Sequence, residues 1–482
     1  MSNEKINMNE AFRKFGPIKQ TDVDYKLRSC LRQFDKKIIV LDDDPTGVQT
    51  VHDVSVYTDW SVESIEAGFT ESNSMFFILT NSRGLLPRET AKAHREIALN
   101  ILKTAQKLKK EFIIISRGDS TLRGHYPLET KIIKETIESN STIRFDGEVL
   151  LPFFMEGGRF TIDGVHYVQE GDYLIPVAET EFARDKSFGF TQSHLAKWIE
   201  EKSEGQFKAE NVQHITDEDL RKIGIRNDSI VEKLMKVENF NKVIVDAVAY
   251  VDVKIFAIAL IKAIRSGKNF MFRTAAAFPK VLGGITDQDL LQEADIVKKE
   301  NHHGGLVMVG SHVQKTSEQL DELRQHSLVE FVEFNQHLVL KPTELETEVD
   351  RVVAFCEKDI PLGKTVVVYT KRERLDVGKE NKEEELKIAV RISDAVTRIV
   401  QKLQVRPKYI IAKGGITSSD IGTKGLQVKK AVVAGQIKPG VPVWITGRES
   451  KFPEIPYIIF PGNVGTRNTL KEVIEILSGH KI

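Results

Sequence analysis

The sequence predicts an α/β protein of two α/β domains with largely parallel sheets. Three observations carry that expectation. Short β-branched runs alternate with longer amphipathic patterns, and several runs end directly on polar or glycine-bearing loops. The chain's 482 residues also suffice for two or three cores at roughly 100–200 residues per domain. Neither an all-helical nor an all-strand chain has this rhythm.

Apolar spacing assigns the elements in order. Strands are expected at Lys37 to Leu41, Met75 to Thr80, Phe112 to Ser116, Lys242 to Asp246, Gly305 to Val309, Lys364 to Tyr369, Tyr409 to Ala412 and Ile455 to Phe460. Apolar residues three and four apart predict helices at Arg88 to Lys110, Gln192 to Glu201, Val253 to Ser266, Gln314 to Gln325, Glu383 to Leu403 and Thr469 to Leu477. Val243 to Ile264 is the most apolar long stretch, but it carries Asp246, Asp252 and Lys254. A membrane span needs about 20 nearly uncharged residues, so this stretch reads as a buried strand followed by a helix. Gly283-Gly284, the charged run from Asp287 to Glu300, and His302-His303-Gly304-Gly305 mark a boundary. The expected organisation is an N-terminal extension (1–35) with no assigned role, a first domain (36–280), a linker (281–304) and a second domain (305–482).

Composition narrows the function class. Lys plus Arg and Asp plus Glu are 69 each, so the net charge is zero and no global field draws the chain to nucleic acid or anionic lipid. Neither is expected as a partner. Cys30 and Cys356 stand far apart and outside any Cys-x-x-Cys spacing, which suits a reducing compartment and argues against structural zinc. Met1 to Pro17 lacks the apolar core of a secretory signal, so the expected location is cytoplasmic. Oligomeric state, a homo-oligomer included, is not legible.

The chemistry-bearing residues follow the strands. Asp42-Asp43-Asp44-Pro45-Thr46-Gly47 comes directly after one, where an acidic cluster orients hydroxyls, holds a cation or serves as a base; three adjacent carboxylates also need a cation to offset them. After the next strands come Thr80-Asn81-Ser82-Arg83-Gly84 and Ser116-Arg117-Gly118-Asp119-Ser120-Thr121-Leu122-Arg123-Gly124-His125. Arginine forks take carboxylates bidentately while aspartate accepts hydroxyl protons, a combination suited to a polyhydroxy acid. Gly157-Gly158-Arg159 opens a stretch to Tyr167 that alternates like a hairpin, with His166 read as a packed strand residue. The second half is different in kind: Lys413-Gly414-Gly415-Ile416-Thr417-Ser418 and Pro461-Gly462-Asn463-Val464-Gly465 follow strands, with Ser311 after a third. Glycine backbones with free N–H groups at such junctions bind phosphate. No Walker A loop, Gly-x-Gly-x-x-Gly, Gly-x-Ser-x-Gly or His-Glu-x-x-His is present.

Taken in order, Asp43-Asp44-Pro45-Thr46-Gly47, Asp119-Ser120-Thr121-Leu122-Arg123-Gly124, Gly158-Arg159-Phe160-Thr161-Ile162-Asp163-Gly164-Val165-His166-Tyr167, Gly310-Ser311-His312-Val313, Gly414-Gly415-Ile416-Thr417-Ser418 and Gly462-Asn463-Val464-Gly465 resemble the four-carbon acid sugar kinase family. The likeness runs from about Lys37 to Leu470. It implies a first domain that binds a four-carbon sugar acid of threonate, erythronate or oxo-tetronate type, and a second that binds ATP with Mg²⁺. Phosphate would pass to a terminal hydroxyl in an interdomain cleft. Two departures stand out: Ile416 replaces the usual acidic residue after the glycine pair, and Phe460-Pro461 replaces a frequent Lys-Ser before the last Gly-Asn.

The resemblance and the residue types together give roles. Asp44 or Asp119 is the expected base. Asp43, Thr46, Ser82, Arg83, Arg117, Ser120, Thr121, Arg123, Gly158 and Arg159 are expected to bind the acid. Ser311, Lys413, Gly414, Gly415, Thr417, Ser418, Gly462, Asn463 and Gly465 are expected to bind ATP, with Lys413 or Arg467 supplying positive charge; no metal ligand is assigned. The alternatives are a sugar-acid-binding regulator with a degenerate nucleotide site, or a sugar-acid oxidoreductase, for which the sequence spells no nicotinamide site.

Overall fold

The computed structural model describes residues 4–16, 18–222, 228–298, 301–324, 329–373, 375 and 382–479. It divides into two compact units, Met1–Thr50 with Asp59–Thr286 and Val51–Thr58 with Asp287–Ile482. In chain order the strands are β1 (Ile6–Asn7), β2 (Lys37–Asp42), β3 (Val54–Tyr57), β4 (Met75–Leu79), β5 (Phe112–Arg117), β6 (Gly147–Leu151), β7 (Arg159–Ile162), β8 (Val165–Glu170), β9 (Tyr173–Pro176), β10 (Gln213–Ile215), β11 (Asn241–Val245) and β12 (Phe270–Thr274). They continue as β13 (Leu306–Val309), β14 (Val329–Phe334), β15 (Thr365–Thr370), β16 (Ile410–Lys413), β17 (Lys430–Lys438), β18 (Val441–Thr446) and β19 (Pro456–Phe460).

In the first unit β10, β11, β6, β12, β5, β2 and β4 lie side by side, each neighbouring pair parallel. Strands covered by helices on both faces read as unbroken apolar runs, and Met75–Leu79 is buried at every residue. From β2 the chain moves to β4 on one side and returns to β5 on the other. The loops after β2 and β5 therefore flank a reversal of strand order, the place where open parallel sheets bind ligands. β1, β9, β8 and β7 form a separate antiparallel sheet, with Arg159 opposite Val168 and Ile6 opposite Leu174. The helix Gln20–Leu31 buries Val23 and Leu27, and its Asp24 pairs with Lys254 at 2.7 Å. The N-terminal residues are thus part of the first unit. The helix Tyr250–Arg265 buries Ile255, Phe256, Ile258 and Ile261 among others, each worth about 1.5–3 kcal/mol when fully removed from water.

In the second unit the order is β3, β17, β18, β19, β16, β13, β15, β14. It is antiparallel as far as β19 and parallel from there on. From β13 the chain visits β14 and β15 on one side, then β16 on the other, so the loops after β13 and β16 flank a second reversal. Leu291, Ile296 and Val297 are buried in this unit's core with Val443 and Leu477, and Leu291 N donates to Gln436 O at 2.8 Å. The stretch between the two strand-rich halves is thus anchored in this unit's core at Leu291, Ile296 and Val297, and a strand from residues 51–58 completes the second unit. No helix among the described residues is long and apolar enough to cross a membrane.

Candidate active site

At the carboxyl edge of the first sheet one arginine bridges the whole acidic run. Arg117, at the end of β5, reaches Asp42 Oδ1 at 3.0 Å, Asp43 Oδ1 at 3.1 Å and Asp44 Oδ1 at 3.8 Å through a single Nη1. That is the cation the sequence demanded, and its shared position offsets the mutual repulsion of three neighbouring carboxylates. Gly47 is required by packing, since a Cβ there would fall 2.1 Å from the Asp42 carboxylate. Burial pushes the Asp42 carboxyl up to about 7 against the pull of Arg117.

Arg83 joins two loops. It stands in the short 3₁₀ turn Ser82–Gly84, entered through Asn81 at φ 52°, and its guanidinium pairs with Asp44 and lies 3.4 Å from Asp119 Oδ1. Asp119 also accepts from Arg123 Nε at 2.7 Å and from the Thr121 hydroxyl, while its own N–H donates to Asp43 Oδ2 at 3.1 Å. Burial works upward on this carboxyl, but Arg83 and Arg123 outweigh it and hold it well below the usual carboxylate range. The three loops singled out in the sequence thus form one charge network. Thr46 takes part by donating to Asp44 from its backbone N–H at 2.7 Å and from its hydroxyl.

The hairpin brings a further cation to this edge. Gly158, at φ 72°, turns the chain into β7, and the Arg159 guanidinium lies over the Phe182 ring, 5.7 Å from its centroid, with Arg123 over the same ring at 5.0 Å. Arg159 Nε is buried and has no hydrogen-bond partner among the described residues. Burial, with Arg123 adding, pulls its pKa down although Asp119 opposes. His166 is fully buried between Ser120 O at 2.8 Å and Thr161 Oγ1 at 2.9 Å, and burial lowers it to about 4, so it supports the loop as a neutral imidazole.

Two expected acid-binding hydroxyls face elsewhere. Ser82 is completely buried and donates to Glu129 Oε1 at 2.6 Å, while the Thr121 hydroxyl is held by Asp119. Sequence reasoning missed Phe182, Asp185 (3.8 Å from Arg123 Nη1) and Arg273, which donates to Arg123 O at 2.9 Å. Asp185 and Phe182 lie in a segment with no periodic signal. Arg273 ends a strand that the spacing did not reveal. One carboxylate triad among the described residues, Asp163, Asp217 and Asp246, lies within 4.8 Å, but Lys14 pairs with Asp163 at 2.8 Å and His214 with Asp246 at 3.0 Å.

The second unit gathers its candidates at its own reversal point. Gly414 at φ 124° lies against Ser311, and a Cβ on Gly462 would meet Ser311 Oγ at 2.5 Å, so these loops touch backbone to side chain. Gly415 faces open space. Lys413 is fully buried; its Nζ donates to Pro461 O at 3.2 Å and lies 3.8 Å from the centroid of Phe460, whose ring takes the place of a carboxylate. Burial and the nearby Lys315 lower it to about 7. Asn463 offers its carbonyl to Lys315 at 3.2 Å, and Gln319 ties Val464 O and Thr466 O to the next helix. Gly465 sits at φ 85° over Thr469. Ser418 turns inward to Ala412 O and Gly414 O, both at 2.7 Å, and Thr417 Oγ1 packs on Gly310, whereas Ile416 is 70% exposed. Arg467 pairs with Glu322 at 3.1 Å.

Comparison with known proteins follows this division. Residues 38–282 match the sugar-binding N-terminal domain family and residues 306–470 the nucleotide-binding C-terminal domain family. A Salmonella typhimurium LT2 protein provisionally named a tRNA synthase shares the fold at TM-score 0.65 and 16% identity, over 91% of this chain and 98% of its own. A Haemophilus influenzae protein of the DUF1537 family does so at TM-score 0.60 and 17% identity, over 92% and 100%. No curated protein matches.

Proposed function

Because the chain belongs to the four-carbon acid sugar kinase family, whose sugar-binding N-terminal domain is joined to a nucleotide-binding C-terminal domain, we propose that it is an ATP-dependent kinase phosphorylating a terminal hydroxyl of a four-carbon sugar acid. The observation that carries this reading is Arg159. Its buried Nε, without a partner among the described residues and set beside Arg123 over an aromatic ring, is receptive to an anion.

Phosphoryl transfer needs positioning and charge compensation more than covalent chemistry. Arg159 and Arg123 take the carboxylate of the acid, and Asp119, held ionised by Arg83 and Arg123, orients its hydroxyls. Asp44 is paired with Arg83 and Arg117 much as Asp119 is with Arg83 and Arg123, and the proton of the attacking hydroxyl goes to one of these two carboxylates, Asp44 in the first instance. The residues named for ATP fit a phosphate chain. Gly415 leaves room beside the backbone, and Lys413 is a buried amine whose pKa burial and Lys315 lower to about 7, so a phosphate beside it would favour its charged form. These residues include no carboxylate; Mg²⁺ bound to the phosphates would supply the screening of their charge.

The test is ADP release from MgATP against a panel of four-carbon sugar acids, with the phosphate located by NMR. Acid-dependent ADP and a terminal ester support the kinase. A second reading, the regulator with a degenerate nucleotide site, draws on the exposed Ile416; acid binding with no ATP binding would favour it.

A further inference from the structure

Arg273, unlike Arg83, Arg117 and Arg123, forms no ion pair with the carboxylates of these loops among the described residues. It ends β12 beside β5, with its Cα paired to Ser116, and is 5% exposed. Its hydrogen bonds among the described residues go to carbonyls, Arg123 O at 2.9 Å and Thr274 O at 3.4 Å, while Nε is buried with none.

The loop above it is an arch tied within itself through Asp119 and from one side by His166, while its two feet rest on Arg273. Leu122 at φ 68° and Gly124 at φ 116° both sit in left-handed backbone, the first a conformation that a leucine adopts only when its surroundings impose it. Arg273 touches both feet of the arch. At the near foot Gly118 lies flat on the guanidinium, where a Cβ would come within 1.8 Å of Nη1, and Gly118 N donates to Thr274 O at 3.0 Å. At the far foot Nη2 holds the Arg123 carbonyl. Between the feet stand Asp119 and Arg123, the pair that meets across 2.7 Å.

We infer that Arg273 is a positioning residue, a buried buttress that fixes the 118–124 arch so that Asp119 and Arg123 present their charges to the sugar acid. The kinetic part of this inference rests on the sugar-acid reading above; the structural part does not. A planar fork braces both feet at once, which a lysine ammonium at the same position cannot do.

Amide hydrogen exchange in the full-length protein reads the arch without any ligand. Arg273→Met is expected to speed exchange across 118–124 by about tenfold or more while the helix Tyr250–Arg265 keeps its protection, with Arg273→Lys recovering only part. Unchanged exchange in the arch overturns the inference. Should Arg273→Met fail to fold, Gly118→Ala attacks the same contact from the other side. In the double variant the alanine adds little, because the atoms it strikes are gone; additive effects overturn the inference as well. In turnover, Arg273→Met should raise KM for the acid about tenfold with KM for ATP unchanged. Arg123→Ala separates the two claims. If it leaves acid binding intact the sugar-acid reading fails, and if it weakens acid binding while Arg273→Met does not, the buttress alone fails.

Discussion

The two units present opposite solutions at equivalent places. At its strand-order reversal the first sheet carries Asp42, Asp43, Asp44, Asp119, Arg83, Arg117 and Arg123, already paired with one another. The second carries glycines, a serine and one buried lysine. A small acid bristling with hydroxyls needs many directed donors and acceptors. Assembling those charges before the ligand arrives requires that they compensate each other, because an unpaired buried charge is prohibitive. A phosphate chain can instead be met by backbone N–H groups, which carry no net charge, and the side chains that hold these loops' carbonyls, Lys315 on Asn463 and Arg372 on Ser311, are cations.

The comparison is broken most severely at the proton acceptor. Asp44→Asn should lower kcat by about 10²–10⁴-fold with KM for the acid altered much less, measured as acid-dependent ADP release. If Asp119→Asn shows that loss and Asp44→Asn does not, the two aspartates exchange roles. Next in size is Gly462→Val. Its added atoms would land on Ser311 Oγ, and overpacking of about 1–3 kcal/mol corresponds to roughly 5–150-fold weaker nucleotide binding, with acid binding untouched. Calorimetric titration of each ligand separately checks both halves. Arg159→Met follows, expected to weaken the acid by about 10–100-fold, the worth of a charged hydrogen bond, without changing nucleotide affinity. An unchanged acid affinity would remove Arg159 from the site.

How much of this was legible differs between the two edges for physical reasons. The eight expected strands are all present with ends shifted by a residue or so, because parallel strands buried on both faces leave unbroken apolar runs such as Met75–Leu79. β6 and β12 escaped notice; Glu148 interrupts the first and Arg273 the second, each a buried charge that hides the apolar signal. β17 and β18 are antiparallel, with alternating burial and bulges that blur the pattern. The substrate loops announced themselves because charge clusters after strands are rare in a folded core. Which hydroxyls turn away was not legible: Ser82 goes to Glu129, a neighbour distant in sequence, and Ser418 bonds back to the carbonyls of Ala412 and Gly414 just before its helix. The Phe182 ring shared by Arg123 and Arg159 has no sequence signal either.

The smallest expected effect sharpens the comparison most, because it tests the buried lysine of the second edge. Lys413 has a folded pKa of about 7 against an ordinary 10.5, lowered by burial and by Lys315. Between those two values the unfolded chain binds more protons than the folded one, so this lysine makes stability rise as pH climbs from about 7 to about 10.5. Lys413→Met should therefore flatten that rise and increase the melting midpoint of the ligand-free protein at neutral pH, while weakening nucleotide binding. Phosphate charge reverses the balance, favouring the ammonium. At about pH 8, where ADP is fully ionised, its binding should be accompanied by uptake of up to about one proton, measurable by calorimetry in two buffers of different ionisation enthalpy. Arginine does not release its proton in this range, so Lys413→Arg should bind ADP with no uptake. Uptake that persists in that variant would place the titrating group elsewhere and remove Lys413 as the group that the phosphate charges.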